Sequence, residues 1–311
     1  MKPSAFPLVL VAVLGAVSGV SAAPASGAGQ DAAPMRAEQA RGDRPRVGDP
    51  STWVALASAA DIVGRTLRDP KGDEAGRIAG LVLDLESGVV LYAVVGSAGS
   101  FDVGQDLVAV PFPALRVDRG LASVTVGIEA AKIARAPRIT EARLGELGEP
   151  DRVASVYGHY AIPTPQGYVF PPSDARARHP DRFVLVRPGQ VVPPRVAQEL
   201  ARDVRGADVA FAGGGLVGEI ERVMIDTGAM HVAYLLVSRG GFLGFDETWL
   251  PIPLQALAWS PEGHTHTLKA GAAALKRLKD LPKGETPTRA RREHLRTLYQ
   301  RFGLKPYWQQ G

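Results

Sequence analysis

The feature that most constrains the fold of this chain is an internal repeat of its turn-forming residues. Eight residues of the stretch that begins at Gly64 recur, in the same order, in a stretch that begins at Gly206. Five pairs are 142 residues apart and, after a two-residue shortening, three more are 140 apart. The pairs are Gly64 and Gly206, Gly76 and Gly218, Asp84 and Asp226, Tyr92 and Tyr234, Gly99 and Gly241, Gly104 and Gly244, Pro111 and Pro251, Pro113 and Pro253. Two copies are too few for a solenoid, so the repeat predicts two similar domains.

Each copy has the pattern of antiparallel β-structure. The Asp-Pro-Lys-Gly sequence at 69–72 is a turn signal, because proline fixes φ and glycine accepts positive φ. Runs at 77–85 and 89–95, on either side of Glu-Ser-Gly, predict a hairpin, and the second copy repeats this pattern around Thr-Gly-Ala. Asp84 and Asp226 precede the two hairpin turns, where an aspartate caps backbone amides.

The predicted strands are apolar on both faces. One face of the first hairpin strand carries Ala79, Leu81, Leu83 and Leu85, and the other carries Ile78 and Val82. A closed small barrel fills its inside with side chains, so a second layer must cover the outside. The sequence leaves three candidates for this cover: the other barrel, a helix or a second chain.

The two copies resemble the PRC-barrel domains, small β-barrels found in the photosynthetic reaction-centre H subunit and in a ribosome-maturation factor. In the first copy the resemblance lies in Asp-Ile-Val-Gly-Arg at 61–65, in residues 72–84, in Tyr-Ala-Val-Val at 92–95 and in Val-Ala-Val-Pro at 108–111. In the second it lies in Gly-Gly-Phe-Leu-Gly at 240–244 and in Leu-Pro-Ile-Pro at 250–253. The first copy departs from the family at 97–101, and the second at 207–215. The resemblance implies a mainly β fold of two small antiparallel barrels that serve protein–protein contact.

Composition and pattern divide the chain into six segments. They are a signal peptide (1–22), a flexible leader (23–50), a first PRC-barrel-like domain (51–127), a linker with short helices (128–198), a second PRC-barrel-like domain (199–268) and a basic, largely helical tail (269–311). Within the linker, two short helices are expected near Thr140 and Asp151, and a short strand at 183–186.

The first 22 residues have the pattern of a secretory signal peptide. Lys2 is the positive region, 8–17 is the apolar run and Val-Ser-Ala at 20–22 fits a cleavage site. The alternative is an amino-terminal membrane anchor, for which the run is short. We therefore expect an exported, periplasmic or extracellular protein. The chain has no cysteine, so disulfides cannot supplement its cores and thiol chemistry is excluded.

The end of the chain is strongly basic, with eleven Lys or Arg and three Asp or Glu between Lys269 and Lys305. Residues 288–302 predict an amphipathic helix. Leu295, Leu298 and Phe302 share one face, and Gly303 fits a helix stop. This helix could dock on the protein's own strands or be held for a partner or a membrane surface. The candidate residues for binding an anionic surface are Arg289, Arg291, Arg292 and Arg296.

Other candidate sites are few. His264 and His266 could point to one strand face, either as two metal ligands or as part of a solvated loop. No nucleophile elbow, phosphate loop or dinucleotide fingerprint is present, so we expect neither a cofactor nor a metal. Four large apolar side chains near a barrel rim either plug the barrel or form a partner-binding loop. They are Phe242, Leu243, Phe245 and Trp249.

Three functions compete. The first is a non-enzymatic binding or scaffold protein of the cell envelope, with an unknown envelope protein as partner and self-association as a further option. The second is a module that binds an anionic polymer or membrane surface through the basic tail, without sequence-specific nucleic-acid recognition. The third is an enzyme with a site between the barrels, which predicts a deep pocket lined by ionisable groups. Salt separates the first two, since a charge-driven complex dissociates by about 0.5 M.

Overall fold

The computed structural model of the protein describes residues 52–96, 107–118, 123–165, 183–186, 206–240, 248–259, 265–276 and 278–310. All of these residues belong to one compact unit. The predicted signal peptide and leader lie outside the described residues, so both stay predictions.

The first barrel is a curled sheet built from the first copy of the repeat. Its strand order is β6-β7-β2-β3-β4-β5-β8, and β9 pairs with β3. The strands are β2 (Thr66–Arg68), β3 (Glu74–Asp84), β4 (Val90–Gly96), β5 (Leu107–Pro111), β6 (Leu115–Val117), β7 (Val124–Val126), β8 (Arg138–Ile139) and β9 (Phe183–Val186). The predicted mainly β fold is confirmed, and the strand pairs of this sheet are antiparallel except that of β2 with β7, which is parallel.

The second barrel repeats this topology. Its strand order is β14-β15-β10-β11-β12-β13-β16, and its one parallel pair, β10 with β15, corresponds to β2 with β7. The strands are β10 (Asp208–Phe211), β11 (Leu216–Asp226), β12 (His231–Arg239), β13 (Thr248–Ile252), β14 (Leu257–Ala258), β15 (Thr265–Leu268) and β16 (Leu281–Pro282). The early strand β1 (Trp53–Ser58) pairs with β11 and with β17 (Arg289–Arg291).

Strand register shows that the described strands of the two copies keep a spacing of 142. Val82 lies opposite Tyr92 and Met224 opposite Tyr234, which confirms the predicted match of these tyrosines. The two-residue shortening was wrong, because Ala93 opposite Val110 corresponds to Leu235 opposite Ile252. The sequence aligned the wrong prolines, because both copies contain a Pro-x-Pro pattern and the first proline of one copy was matched with the first proline of the other. Pro111 is equivalent to Pro253, and each precedes a short 3-10 helix, Phe112–Ala114 or Leu254–Ala256.

The helices extend the repeat beyond the barrels. They are α1 (Ala59–Ile62), α2 (Ala130–Ala134), α3 (Pro150–Tyr160), α4 (Ala272–Leu275) and α5 (Arg292–Arg301), with further 3-10 turns at Glu141–Gly148 and Tyr307–Gln309. Helices α3 and α5 are equivalent, and each anchors to its own barrel by a buried tyrosine. The Tyr157 hydroxyl donates to the Leu91 carbonyl at 2.9 Å, and the Tyr299 hydroxyl donates to the Ala233 carbonyl at 2.9 Å. The sequence left three candidates for the layer that covers the outside of each barrel. In both barrels a helix provides such a cover.

The predicted tail helix is shorter than expected. It begins at Arg292 and not at residue 288, because Arg289–Arg291 pairs with β1 as strand β17. Leu295 and Leu298 are buried as predicted, at 3% and 8% exposed, and Phe302 is half-buried. They join an apolar cluster with outward-facing side chains of the second barrel, among them Met224 and Leu236.

The two barrels exchange strands. Strand β1 precedes the first barrel in sequence but pairs with β11 of the second, where Leu56 lies opposite Asp226. Strand β9 precedes the second barrel but pairs with β3 of the first, where Phe183 lies opposite Asp84. Because Asp84 and Asp226 are equivalent, the two exchanged strands pair at equivalent positions of the two barrels. Each barrel receives its strand from the segment that precedes the other barrel in sequence.

Candidate functional site: the junction and the arginine–tryptophan face

The junction between the barrels is a symmetric pairing of the two hairpins. Val89 lies opposite His231, its own equivalent in the repeat. The Val90 amide donates to the Met230 carbonyl at 2.9 Å, and the Val232 amide donates to the Gly88 carbonyl at 2.8 Å. Each hydrogen bond is the repeat equivalent of the other. The contact is therefore isologous, like the interface of a twofold dimer, but it lies within one chain.

The two repeated aspartates hold the hairpin turns, as the sequence predicted. Asp84 accepts a hydrogen bond from the Glu86 amide at 3.1 Å and from the Ser87 hydroxyl at 2.6 Å. Asp226 accepts from the Gly228 and Ala229 amides at 2.9 and 3.0 Å. A capping role accounts for their burial, because these partners replace the water that a carboxylate loses.

His231 and Tyr307 complete the junction. The Tyr307 hydroxyl donates to Asp226 at 2.6 Å, and its ring stacks on His231 with centroids 5.1 Å apart. Burial lowers the pKa of His231 to about 4, against the opposing pull of Asp226 and Asp84. Burial, and then the charge of Asp226, raises the pKa of Tyr307. These ionisable groups therefore pack against one another at the junction.

A second polar feature lies on the outer side of the second barrel, where β1 pairs with β17. Trp53 lies opposite Arg291, and Ala55 lies opposite Arg289. Opposed residues of an antiparallel pair share a face, so both arginines lie on the side of Trp53. The guanidinium carbons of Arg289 and Arg291 are 4.8 and 5.2 Å from the centroid of the Trp53 ring.

A second arginine–tryptophan contact lies at helix α5, where the guanidinium of Arg292 lies over the Trp308 ring at 5.2 Å and Arg296 is exposed one helical turn further on. We call the group on the two strands, Trp53, Arg289 and Arg291, the arginine–tryptophan face. It contains two of the four arginines that the sequence singled out for an anionic surface, and the other two lie on α5.

The arginines of this face have no acidic partner in the part of the chain that the structure describes. The described ion pairs involve Lys71, Arg143 and Arg152, all of the first copy. The first copy also lacks the face itself. Its residues equivalent to the four arginines are Leu147, Glu149, Pro150 and Ala154.

The other predicted site residues contribute little to a surface. Phe242, Leu243, Phe245 and His264 lie outside the described residues, so their predictions stay open. Trp249 is 3% exposed and packs in the cluster beneath α5, so it offers no exposed surface. His266 is buried, with its ring centroid 4.3 Å from that of Trp259. Among the described residues no group of three or more possible ligands could hold a metal ion.

Sequence reasoning missed both tryptophans that contact these arginines, Trp53 and Trp308. A signal was available for Trp308, which lies within the basic tail. For Trp53 no sequence signal exists, because more than 230 residues separate it from its arginines.

No described helix is long and apolar enough to cross a membrane.

The structure defines a class of tandem β-barrel proteins in which each barrel is covered by its own helix and completed by a strand from the other half. The model of the PRC-barrel domain family matches residues 56–128 and 197–270, and the chain therefore carries two tandem PRC-barrel domains. PRC-barrel domains are protein-interaction modules and are generally non-catalytic. No curated protein matches the chain.

Proposed function

We propose that this protein is a non-enzymatic adaptor of the cell envelope that binds partner proteins through its PRC barrels. The observation that carries the proposal is the fusion of two interaction modules into one body by exchanged strands and the symmetric hairpin pairing. Such a body holds two recognition surfaces at a fixed distance, as a scaffold requires.

The envelope location rests on the signal-peptide pattern at residues 1–22. Amino-terminal sequencing of the protein purified from its native cells tests this part. We expect a mature chain that begins just after Ala22, whereas a chain that keeps Met1 and fractionates with the cytoplasm would contradict it.

Crosslinking in intact cells followed by affinity capture tests the adaptor role. We expect a defined partner protein in stoichiometric amount. A tagged chain with an unrelated exported protein as control separates a specific partner from abundant envelope proteins. Recovery of the chain alone, at every crosslinker length, would contradict the adaptor role.

A second candidate function is attachment to an anionic polymer or membrane surface. Arg289, Arg291 and Arg296 favour it, because they are exposed without an acidic partner among the described residues. Attachment of this kind falls steeply with salt and is lost by about 0.5 M, whereas an apolar protein interface persists. Fractionation of envelopes washed at low and high salt therefore distinguishes the two.

A further inference from the structure

We propose that the arginine–tryptophan face is a docking site for an acidic, extended segment of a partner protein, with alternate carboxylates received by Arg289 and Arg291. This inference rests on the adaptor function and names the chemistry of the partner.

The first argument is preorganisation. Arginine side chains lose considerable conformational entropy when a ligand fixes them. Here the Trp53 ring already holds both guanidinium groups. Cation–π contact uses the face of a guanidinium and leaves its N–H edges available for planar, bidentate bonds to carboxylates. Part of the ordering cost is therefore met before a ligand arrives.

The second argument is spacing. Arg289 and Arg291 are alternate residues of one strand and lie on the same face. Alternate residues of an extended chain are roughly 7 Å apart. Carboxylates at alternate positions of an extended partner segment have the same repeat, so two guanidinium–carboxylate pairs can form in register.

The third argument is composition. Trp and Arg are the residues most enriched among the energetically dominant positions of protein interfaces. The face combines a tryptophan with two arginines, whereas the positions equivalent to these arginines in the first copy hold Leu147 and Glu149. The two copies share their core and topology, so this difference is confined to the outer surface of one of them.

The test uses the full mature chain and two synthetic peptides of identical composition. One alternates Glu and Thr, and the other has its glutamates contiguous. By fluorescence anisotropy at roughly 0.1 M salt, we expect the alternating peptide to bind several-fold more tightly. Equal affinity for the two peptides would overturn the register argument and the proposal with it.

Variants separate the face from general basicity. Arg289→Ala with Arg291→Ala should weaken binding of the alternating peptide by at least about tenfold. The control, Arg135→Ala with Arg138→Ala, removes the same charge from exposed residues of the first copy and should leave affinity within about twofold. Equal losses in the two double variants would overturn the proposal. Thermal unfolding of each variant identifies any loss that is due to misfolding.

Two further variants test the mechanism without changing net charge. Arg289→Lys with Arg291→Lys keeps both charges but removes the planar donors, so we expect most of the affinity to be lost. Trp53→Leu removes the ring that holds both guanidinium groups and should weaken binding several-fold. Wild-type affinity in both variants would contradict the proposed geometry.

Phosphatidylglycerol vesicles provide the competing outcome. If the vesicles bind in an Arg289- and Arg291-dependent way and the peptides do not, the face serves a membrane surface and the proposal is wrong. A crosslinked partner retained equally by the Arg289→Ala, Arg291→Ala variant would also refute this docking site, while the adaptor function would stand. Conversely, the protein could bind the alternating peptide specifically while no partner is crosslinked in cells. That result would support the docking site and refute the adaptor function.

Discussion

Gly218 lies where β11 passes so close to β12 that no side chain fits between them. A Cβ atom at this position would collide with the carbonyl group of Ser238, and one at its equivalent Gly76 would meet the carbonyl oxygen of Gly96. The repeat of these glycines was read from sequence as a turn signal. The structure gives it a different cause, which is the close approach of two backbones.

Replacing Gly218 by alanine should therefore lower the free energy of unfolding by about 2 to 4 kcal/mol. Gly213→Ala is the matched control, because no heavy atom lies within 4 Å of the added Cβ. It should stay within about 0.5 kcal/mol of wild type. Urea unfolding of both variants decides the matter, and equal stabilities would show that the strands can separate at no cost.

His231 predicts how stability depends on pH. Its pKa is about 4 in the folded protein and 6.5 in its ordinary state, so the unfolded chain binds more protons between these values. Stability should consequently fall as pH falls through this window, by up to roughly 3 kcal/mol from this residue. His231→Gln should flatten the dependence, whereas His294→Gln, at an exposed position, should not. Urea unfolding at several pH values in this window measures the free energy of unfolding of the wild type and of both variants. Parallel pH dependences for the three proteins would contradict the assignment of the effect to His231.

Among the elements, α5 shows what a sequence pattern can predict and where it stops. Apolar spacing indicated that Leu295 and Leu298 face inward, and both are buried. It did not indicate Tyr299, which is fully buried and anchors the helix to the Ala233 carbonyl. A tyrosine is ambiguous in such a pattern because its ring is apolar and its hydroxyl polar. The 142-residue repeat, which aligns Tyr299 with Tyr157, contained the missing information.

Because α5 covers the apolar outer face of the second barrel, Leu298→Asp should be strongly destabilising. A buried carboxylate without a partner should lower the free energy of unfolding by about 3 kcal/mol or more. Gln300→Asp adds the same charge on the exposed side of the same helix and should change stability by less than about 0.5 kcal/mol. Thermal unfolding compares the midpoints of the two variants with that of the wild type. An unchanged midpoint for Leu298→Asp would mean that the helix is held for a partner after all.

At the scale of the whole molecule, the duplication, the hairpins and the covering helices were predictable, since each has a local sequence pattern. The strand exchange was not. Leu56 and Asp226 are far apart in sequence, and the branched residues of β1 would suit an edge of either barrel. The arginine–tryptophan face depends on this exchange, because β1 carries Trp53 to β17. Trp53 was therefore invisible to any argument from neighbouring residues.

The exchange makes a testable prediction about which barrel each strand stabilises. Leu56→Pro removes the amide that donates to the Thr288 carbonyl at 2.9 Å and should cost about 3 kcal/mol locally. Hydrogen exchange should accelerate at 224–226 in the second barrel and not at 82–84 in the first. Val184→Pro, in β9 opposite Leu83, should have the reverse effect. Acceleration in the first barrel on changing Leu56 would show that β1 belongs to its neighbour in sequence.

The exchanged strand β1 also sets an order of events during biosynthesis. The ribosome makes β1 about 170 residues before its partner β11, so this strand must wait while the first barrel forms beside it. The first barrel has all its strands once β9 has been made, whereas the second cannot reach its final shape until almost the entire chain has been made. Until β11 has been made, β1 presents unpaired edge groups to other nascent chains, and we expect a chain exported unfolded, as proposed above, to require a chaperone that protects this strand.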